Sequence, residues 1–283
     1  MKAQTKVITG AAVLSAASFC GYKWQRLGGI TKKNYRQVKN DIPTLFIHGY
    51  AGTRLSTGFM LRRFEKKGWG SKTCVIKVKD HQKIKIIGDP TVPGCFIQVL
   101  FDENRVSVMK QSNWLWRVMA TLKLKYHVNE VNLVAHSMGG VVVMRYLSSH
   151  GNYYRLPRVN KVVTIGSPFN DSDPGKTTAF IESYLLTQKG PVFETMLFNR
   201  MRQHNFLVSP QIKFLNIAGD LGYQPHSDGA VSVNSVRSLR YLIKNPENYT
   251  EKIMYGKKAA HTLLHENPEV DQLIGEFLFN VKK

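Results

Sequence analysis

The sequence predicts an α/β fold: a mainly parallel central sheet with helices on both faces and a helical cap inserted late in the chain. Three observations predict it. Short apolar runs bounded by turn residues alternate with segments of helical period, the pattern of parallel strands joined through helices. The runs are apolar at consecutive positions, as strands covered on two faces must be. Between residues 168 and 210 the alternation stops, which marks an insertion.

The elements follow in order. Residues 44–48 form a buried strand ending in a Gly turn, 59–67 a helix, and 74–79 the next strand. Residues 84–108 break the alternation: Pro90, Pro93 and Gly94 mark a turn, 95–101 is strand-like, and 102–104 turns into 105–108. This predicts an antiparallel hairpin at one sheet edge. Helix 114–126, strand 131–135, helix 138–149 and strand 159–165 come next. The insertion carries two helix-like segments, 177–187 and 192–203, with Phe180, Tyr184, Leu185, Phe193, Met196, Leu197 and Phe198. They are expected to pack against the sheet as a cap. Strand 212–218 resumes the sheet, and strand 252–255 and helix 269–281 close it.

Hydrophobic residues make up 43% of the 283 and charged residues 21%, which excludes a disordered chain and a polytopic membrane protein. The charge is unusual. Forty Lys and Arg stand against nineteen Asp and Glu, a net +21. That excess favours polyanionic surroundings such as an anionic membrane or cell-wall surface. The basic residues are spread along the chain without heptads or an aromatic-basic motif, so no specific nucleic-acid partner is expected.

Lys2 and Lys6 flank the start of an uncharged, small-residue run from position 7 to 22, followed by Lys23 and Arg26. Residues 1–22 therefore read as a signal peptide or N-terminal membrane anchor, and an exported location is expected. Residues 23–41 read as a linker, and 42–283 as one domain whose cap insertion spans about 168–211. The three cysteines make no disulfide framework. Cys20 lies in the leader, and Cys74 and Cys95 fall in apolar runs where buried free thiols are expected.

The chemistry centres on Ala135-His136-Ser137-Met138-Gly139-Gly140, between a strand and a helix. A serine at that junction is exposed on a sharp turn and sits at a helix N-terminus, where N–H groups favour developing negative charge. Residues 135 and 139 are small because neighbouring chain passes close. Ala135 stands where the usual Gly-x-Ser-x-Gly has its first Gly. His48-Gly49-Tyr50 ends the first strand, and the Gly lets the following N–H turn toward a substrate oxygen. The backbone N–H groups of Tyr50 and Met138 are the expected oxyanion hole. His48 reads as a structural histidine.

A serine nucleophile needs a base, and the base an orienting acid, following the serine in the order acid, histidine. Asp220 and Asp228 both follow strand 212–218. Asp228, in a loop set beyond the strand, is favoured, and Asp220 remains the alternate. His261 and His265 both precede the last helix. His261 is favoured as the base, with seven residues to Pro268 giving it reach, and His265 reads as a neighbouring or rim residue.

With these motifs in place the chain resembles α/β-hydrolases of the lipase type. The Ala-His-Ser-Met-Gly-Gly turn is similar to that of small bacterial lipases, and Ser227-Asp228-Gly229-Ala230-Val231-Ser232 to the acid loop of larger ones. The run Phe46 to Tyr50, Ser-Pro-Phe-Asn at 167–170 and Leu264 to Pro268 resemble an uncharacterised family of exported Gram-positive hydrolases. The resemblance covers about residues 42–283 and implies an exported serine hydrolase but no particular substrate; the triad chemistry itself points to a carboxylic ester and requires no metal or cofactor. The expected substrate is a small-molecule or lipid-like acyl compound. The same triad would equally serve an acyltransferase, peptidase or perhydrolase. A different reading is a non-enzymatic surface protein whose basic face binds anionic wall polymer or lipid.

Overall fold

The computed structural model describes residues 29–30, 41–79, 83–175 and 180–281. The expected leader, with Cys20, lies outside the described residues. No helix among those described is long and apolar enough to cross a membrane.

The chain runs β1 (Thr44–Ile47), α1 (Arg54–Lys66), β2 (Ser71–Val78), β3 (Ile84–Gly88), β4 (Cys95–Phe101), α2 (Val108–Tyr126), β5 (Glu130–His136) and α3 (Met138–His150). It continues with β6 (Arg158–Ile165), α4 (Met196–Gln203), β7 (Lys213–Asp220), α5 (Val233–Arg237), β8 (Tyr249–Tyr255), α6 (His261–Leu264) and α7 (Pro268–Phe279). The eight strands form one sheet in the order β3-β2-β4-β1-β5-β6-β7-β8. Every pairing is parallel except β2 with β3. This is the α/β-hydrolase fold: mixed, mostly parallel, and flanked by helices.

The antiparallel hairpin is one element earlier than the sequence suggested. Cys74 pairs with Gly88 and Val78 with Ile84, so β2 and β3 make it. β4 instead enters the sheet parallel, between β2 and β1. Burial decides this. Six of the seven β4 residues are buried, so the strand needs a neighbour on each side. β3 has no fully buried residue and suits an edge. Residues 105–107 form no strand. Ser107 accepts a bond from the Lys110 N–H and caps α2, which therefore begins at Val108 and not at Trp114.

Two apolar layers hold the sheet. On one face Trp114, Leu115, Val118 and Met119 of α2 and Val141 and Met144 of α3 join Leu45, Ile97 and Leu133. On the other, Met60, Leu61 and Phe64 of α1 and Val270, Ile274 and Leu278 of α7 join Phe46 and Phe96. Phe46 meets Phe64 and Phe96 edge-on, with ring centroids 6.0 and 5.3 Å apart. Each fully buried Leu or Phe contributes about 1.5–3 kcal/mol, so these layers rather than propensity fix the helices on the sheet.

The insertion is less helical than its sequence pattern. Over 180–187, the described part of the first helix-like segment, no helix forms: Leu186 bridges Pro191 antiparallel, and Val192 N–H donates to Leu185 C=O at 2.8 Å in a short hairpin. The second segment narrows to α4. A tertiary tether overrides helical periodicity here: the Asn170 side chain donates to Phe193 C=O and accepts from Thr195 N–H. Only part of the apolar set packs inward. Phe198 is fully buried, whereas Phe180, Leu185, Phe193 and Met196 are exposed.

Candidate active site

Ser137 stands at the end of β5 with φ 56 and ψ −135, and α3 starts at the next residue. A non-glycine residue at positive φ is strained, and the surrounding structure must hold it there. Ser137 N–H donates to Ile165 C=O at 2.8 Å, which ties the turn to the neighbouring strand. The close approach expected at Gly139 is present: a Cβ there would lie 2.6 Å from the His48 carbonyl oxygen.

The parallel sheet brings the C-terminal ends of β5, β6 and β7 side by side, and the loops beyond them carry the partners. Nδ1 of His261 lies 2.7 Å from Oδ2 of Asp228, and Nε2 lies 2.9 Å from Oγ of Ser137. With Nδ1 donating to the carboxylate, Nε2 accepts the serine hydroxyl proton. Asp228 is 1% exposed. Its second oxygen accepts from the N–H groups of Ala230 and Val231 at 3.0 and 2.8 Å. The burial is therefore compensated by bonds to both oxygens. The His261 N–H also donates to the Asp228 carbonyl at 2.8 Å, so backbone and side chain fix the pair together.

Gly166 lies beside this pair at φ 55, and a Cβ would stand 2.9 Å from Oδ2 of Asp228. Only glycine meets both demands.

The alternates stand elsewhere. Asp220 accepts from Gly222 N–H at 2.8 Å and pairs with Nδ1 of His226 at 2.8 Å, so it closes the turn after β7. His265 pairs with Oε1 of Glu266 at 2.9 Å, and its ring meets His136 edge-on at 4.6 Å. Arg63 then anchors this corner, bonding Glu266, Asp271 and the His265 carbonyl.

At the expected oxyanion position, a Cβ on Gly49 would lie 2.7 Å from the Ser137 Cβ, so the chain of Tyr50 passes directly at the serine. Neither the Tyr50 nor the Met138 N–H is spent on a carbonyl among the described turn and loop bonds. The Tyr50 ring underlies Gly175, at the entrance to the insertion. His48 is buried and structural: Nδ1 bonds the Gly49 carbonyl and Nε2 accepts the Phe101 N–H.

Two residues escaped the sequence reading. His136 is 8% exposed, and its Nε2 lies 3.0 Å from the His261 carbonyl oxygen, with ring centroids 4.8 Å apart. Burial first, then the nearby His261 and His265, hold its pKa well below the ordinary imidazole value. It is therefore neutral, and it donates Nε2–H to that carbonyl. The signal was its place beside Ser137, which spacing alone could not turn into a role. Asp171 follows the Ser-Pro-Phe-Asn run. Its carboxyl accepts from the Ser235 hydroxyl at 2.5 Å and lies in the field of Asp228 and His261. Burial pushes its pKa up to about 7, against the Ser235 bond.

His136→Phe is expected to leave the His261 carbonyl unpaired and let the base shift. Misplacement of about 1 Å costs up to about 100-fold, so kcat should fall that far with little change in KM. Steady-state kinetics on a soluble ester, with His136→Gln restoring part of the rate, checks this.

The product of gene lin2722 of Listeria innocua is similar in structure, with 29% identity, a TM-score of 0.73, and coverage of 86% of this chain and 96% of that one. A cell surface hydrolase candidate from Lactobacillus plantarum WCFS1 is similar at 21% identity and TM-score 0.67, covering 87% and 94%. Est1E from Butyrivibrio proteoclasticus shares the fold at 13% identity and TM-score 0.51, covering 89% and 91%. No curated protein matches the chain. Residues 31–281 match the family described as alpha/beta hydrolase of unknown function, DUF915, and the chain belongs to that family.

Proposed function

We propose that the protein is a serine hydrolase of carboxylic esters that works through an acyl-enzyme. The observation that carries this is the relay from Asp228 Oδ2 through His261, at 2.7 Å, to Ser137 Oγ, at 2.9 Å. His261 takes the Ser137 proton as Oγ attacks the acyl carbonyl. Asp228 holds the tautomer and stabilises the imidazolium. The N–H groups of Tyr50 and Met138 receive the oxyanion, each such donor contributing about 2.7–4 kcal/mol to the transition state. His261 then protonates the leaving alkoxide, and in the second half it deprotonates the water that releases the acid and frees Oγ.

The exposed apolar residues of the insertion, Phe180, Leu185, Phe193 and Met196, support a medium-chain or lipid-like acyl group. The basic start and the small-residue run at 7–22 support export, as does the cell-surface description of the Lactobacillus relative.

The test is labelling with a fluorophosphonate probe and mapping of the adduct by peptide mass spectrometry, alongside turnover of short and medium p-nitrophenyl esters. The expected result is one adduct on Ser137 and ester turnover in water. An adduct on another residue, or none on a folded protein, refutes the reading. Turnover that appears only with an alcohol or amine present assigns an acyltransferase instead.

A further inference from the structure

Part of the chain's excess positive charge gathers on one flank, formed by α2 and the start of the edge strand β3. α2 buries Leu115, Val118, Met119 and Leu122 toward the sheet. Its outer side carries a second apolar line: Met109, 49% exposed, half-buried Trp116, and Leu124, 67% exposed. Their spacing of seven and eight residues keeps them on one side of the helix. Between Val108 and Tyr126 there is no Asp or Glu, but there are Arg117, Lys123 and Lys125, besides Lys110, which pairs with Glu103.

Beside this line lies a cleft of about 580 Å³ between α2 and β3, with Ile84, Trp116 and Leu124 against Lys83, Arg117 and Lys125. No acidic residue lines it. Lys79 N–H donates to Lys83 C=O at 2.9 Å, which brings a further cation to the same corner.

We propose that this flank docks on an anionic lipid bilayer, with Trp116 and Leu124 at the headgroup–acyl boundary and Lys83, Arg117 and Lys125 on lipid phosphates. The apolar line selects this occupant. A hydrophilic polyanion would engage the cations and leave Met109, Trp116 and Leu124 in water. A bilayer takes up both, through apolar burial and attraction of each Lys or Arg to the negative surface. Ser137 follows β5, four strands from β3 in the sheet, so it is not part of this flank. The inference stands independently of the hydrolase reading.

The test uses the full chain carrying Cys20→Ser and Leu124→Cys, labelled with an environment-sensitive fluorophore. Cys74 and Cys95 are buried, and burial pushes the Cys95 thiol up to about 12, so neither competes for the label. A local probe is needed because the segment at 7–22 could itself hold the chain to vesicles of any charge.

The expected result is a blue shift on phosphatidylglycerol vesicles that weakens with salt and is absent on phosphatidylcholine. Arg117→Glu with Lys125→Glu should abolish it. Lys252→Glu with Lys257→Glu, an equal change of charge at exposed positions near the other sheet edge, should retain it. No shift on anionic vesicles, or equal loss in both double variants, overturns the proposal. An equal shift with long-chain inorganic polyphosphate alone also overturns it and assigns a polyanion site. Fluorophosphonate labelling of the same samples reports the state of Ser137 separately.

Discussion

Ser137→Ala is expected to lower kcat on a p-nitrophenyl ester by about 10⁶-fold, the scale at which loss of a serine nucleophile removes a triad's action as a unit. The Ser137 side chain makes one hydrogen bond, to His261 at 2.9 Å. Removing Oγ therefore leaves the turn's own support intact, namely the Ser137 N–H bond to Ile165 and the neighbouring Asp228–His261 pair. The strained φ of 56 is shared by Ala and Ser, so the thermal midpoint should move little. The variant should also lose fluorophosphonate labelling. Residual turnover within tenfold of the parent would place the nucleophile elsewhere.

Asp228→Asn is expected to lower kcat by about 10⁴-fold while the fold survives. Both carboxylate oxygens are committed, Oδ2 to His261 and Oδ1 to the N–H groups of Ala230 and Val231. An amide must turn its NH₂ toward one of these. Facing the backbone, it opposes two donors. Facing His261, it donates to Nδ1 and forces the tautomer that cannot accept the Ser137 proton. Asp220→Asn is the matched control. That carboxylate holds His226 and the Gly222 N–H at the surface end of β7, so kcat should stay within a few-fold of the parent. Kinetics of both variants beside their thermal midpoints separate the roles. A deep loss in Asp220→Asn with little in Asp228→Asn would reverse the assignment.

Much of this was legible in the chain because local rules carried it. The strands inside the sheet, β1, β2 and β4 to β7, announce themselves as apolar runs since each is covered on two faces, and a period-free run is what such coverage requires. The turn at 135–140 is legible because close approach leaves few residue types possible there. A Cβ on Gly139 would lie 2.6 Å from the carbonyl oxygen of His48, just past the end of β1. Ser137, Asp228 and His261 could be nominated from their order and from the loops that hold them.

What local rules do not encode was misread. The hairpin went to 95–108 because Pro90 and Gly94 signal a turn but not which strands flank it, and pairing is settled by burial on both sides of β4. The segment at 180–187 has the period of a helix, but Asn170 binds the chain that follows it and draws the region into a hairpin.

By itself, then, the sequence determined the alternation of strands and helices, the strained serine turn, and the residues able to form a relay with it. Those are consequences of short-range sterics and hydrophobic period. Only the tertiary structure separates Asp228 from Asp220: the first meets His261, whereas the second, the last residue of β7, meets His226. It also places His136 against His261 across 125 positions of chain, and the outer line of α2 beside Lys83 at the start of β3. Contacts between residues far apart in sequence arise from the packing of whole elements on the sheet, and no local pattern records them.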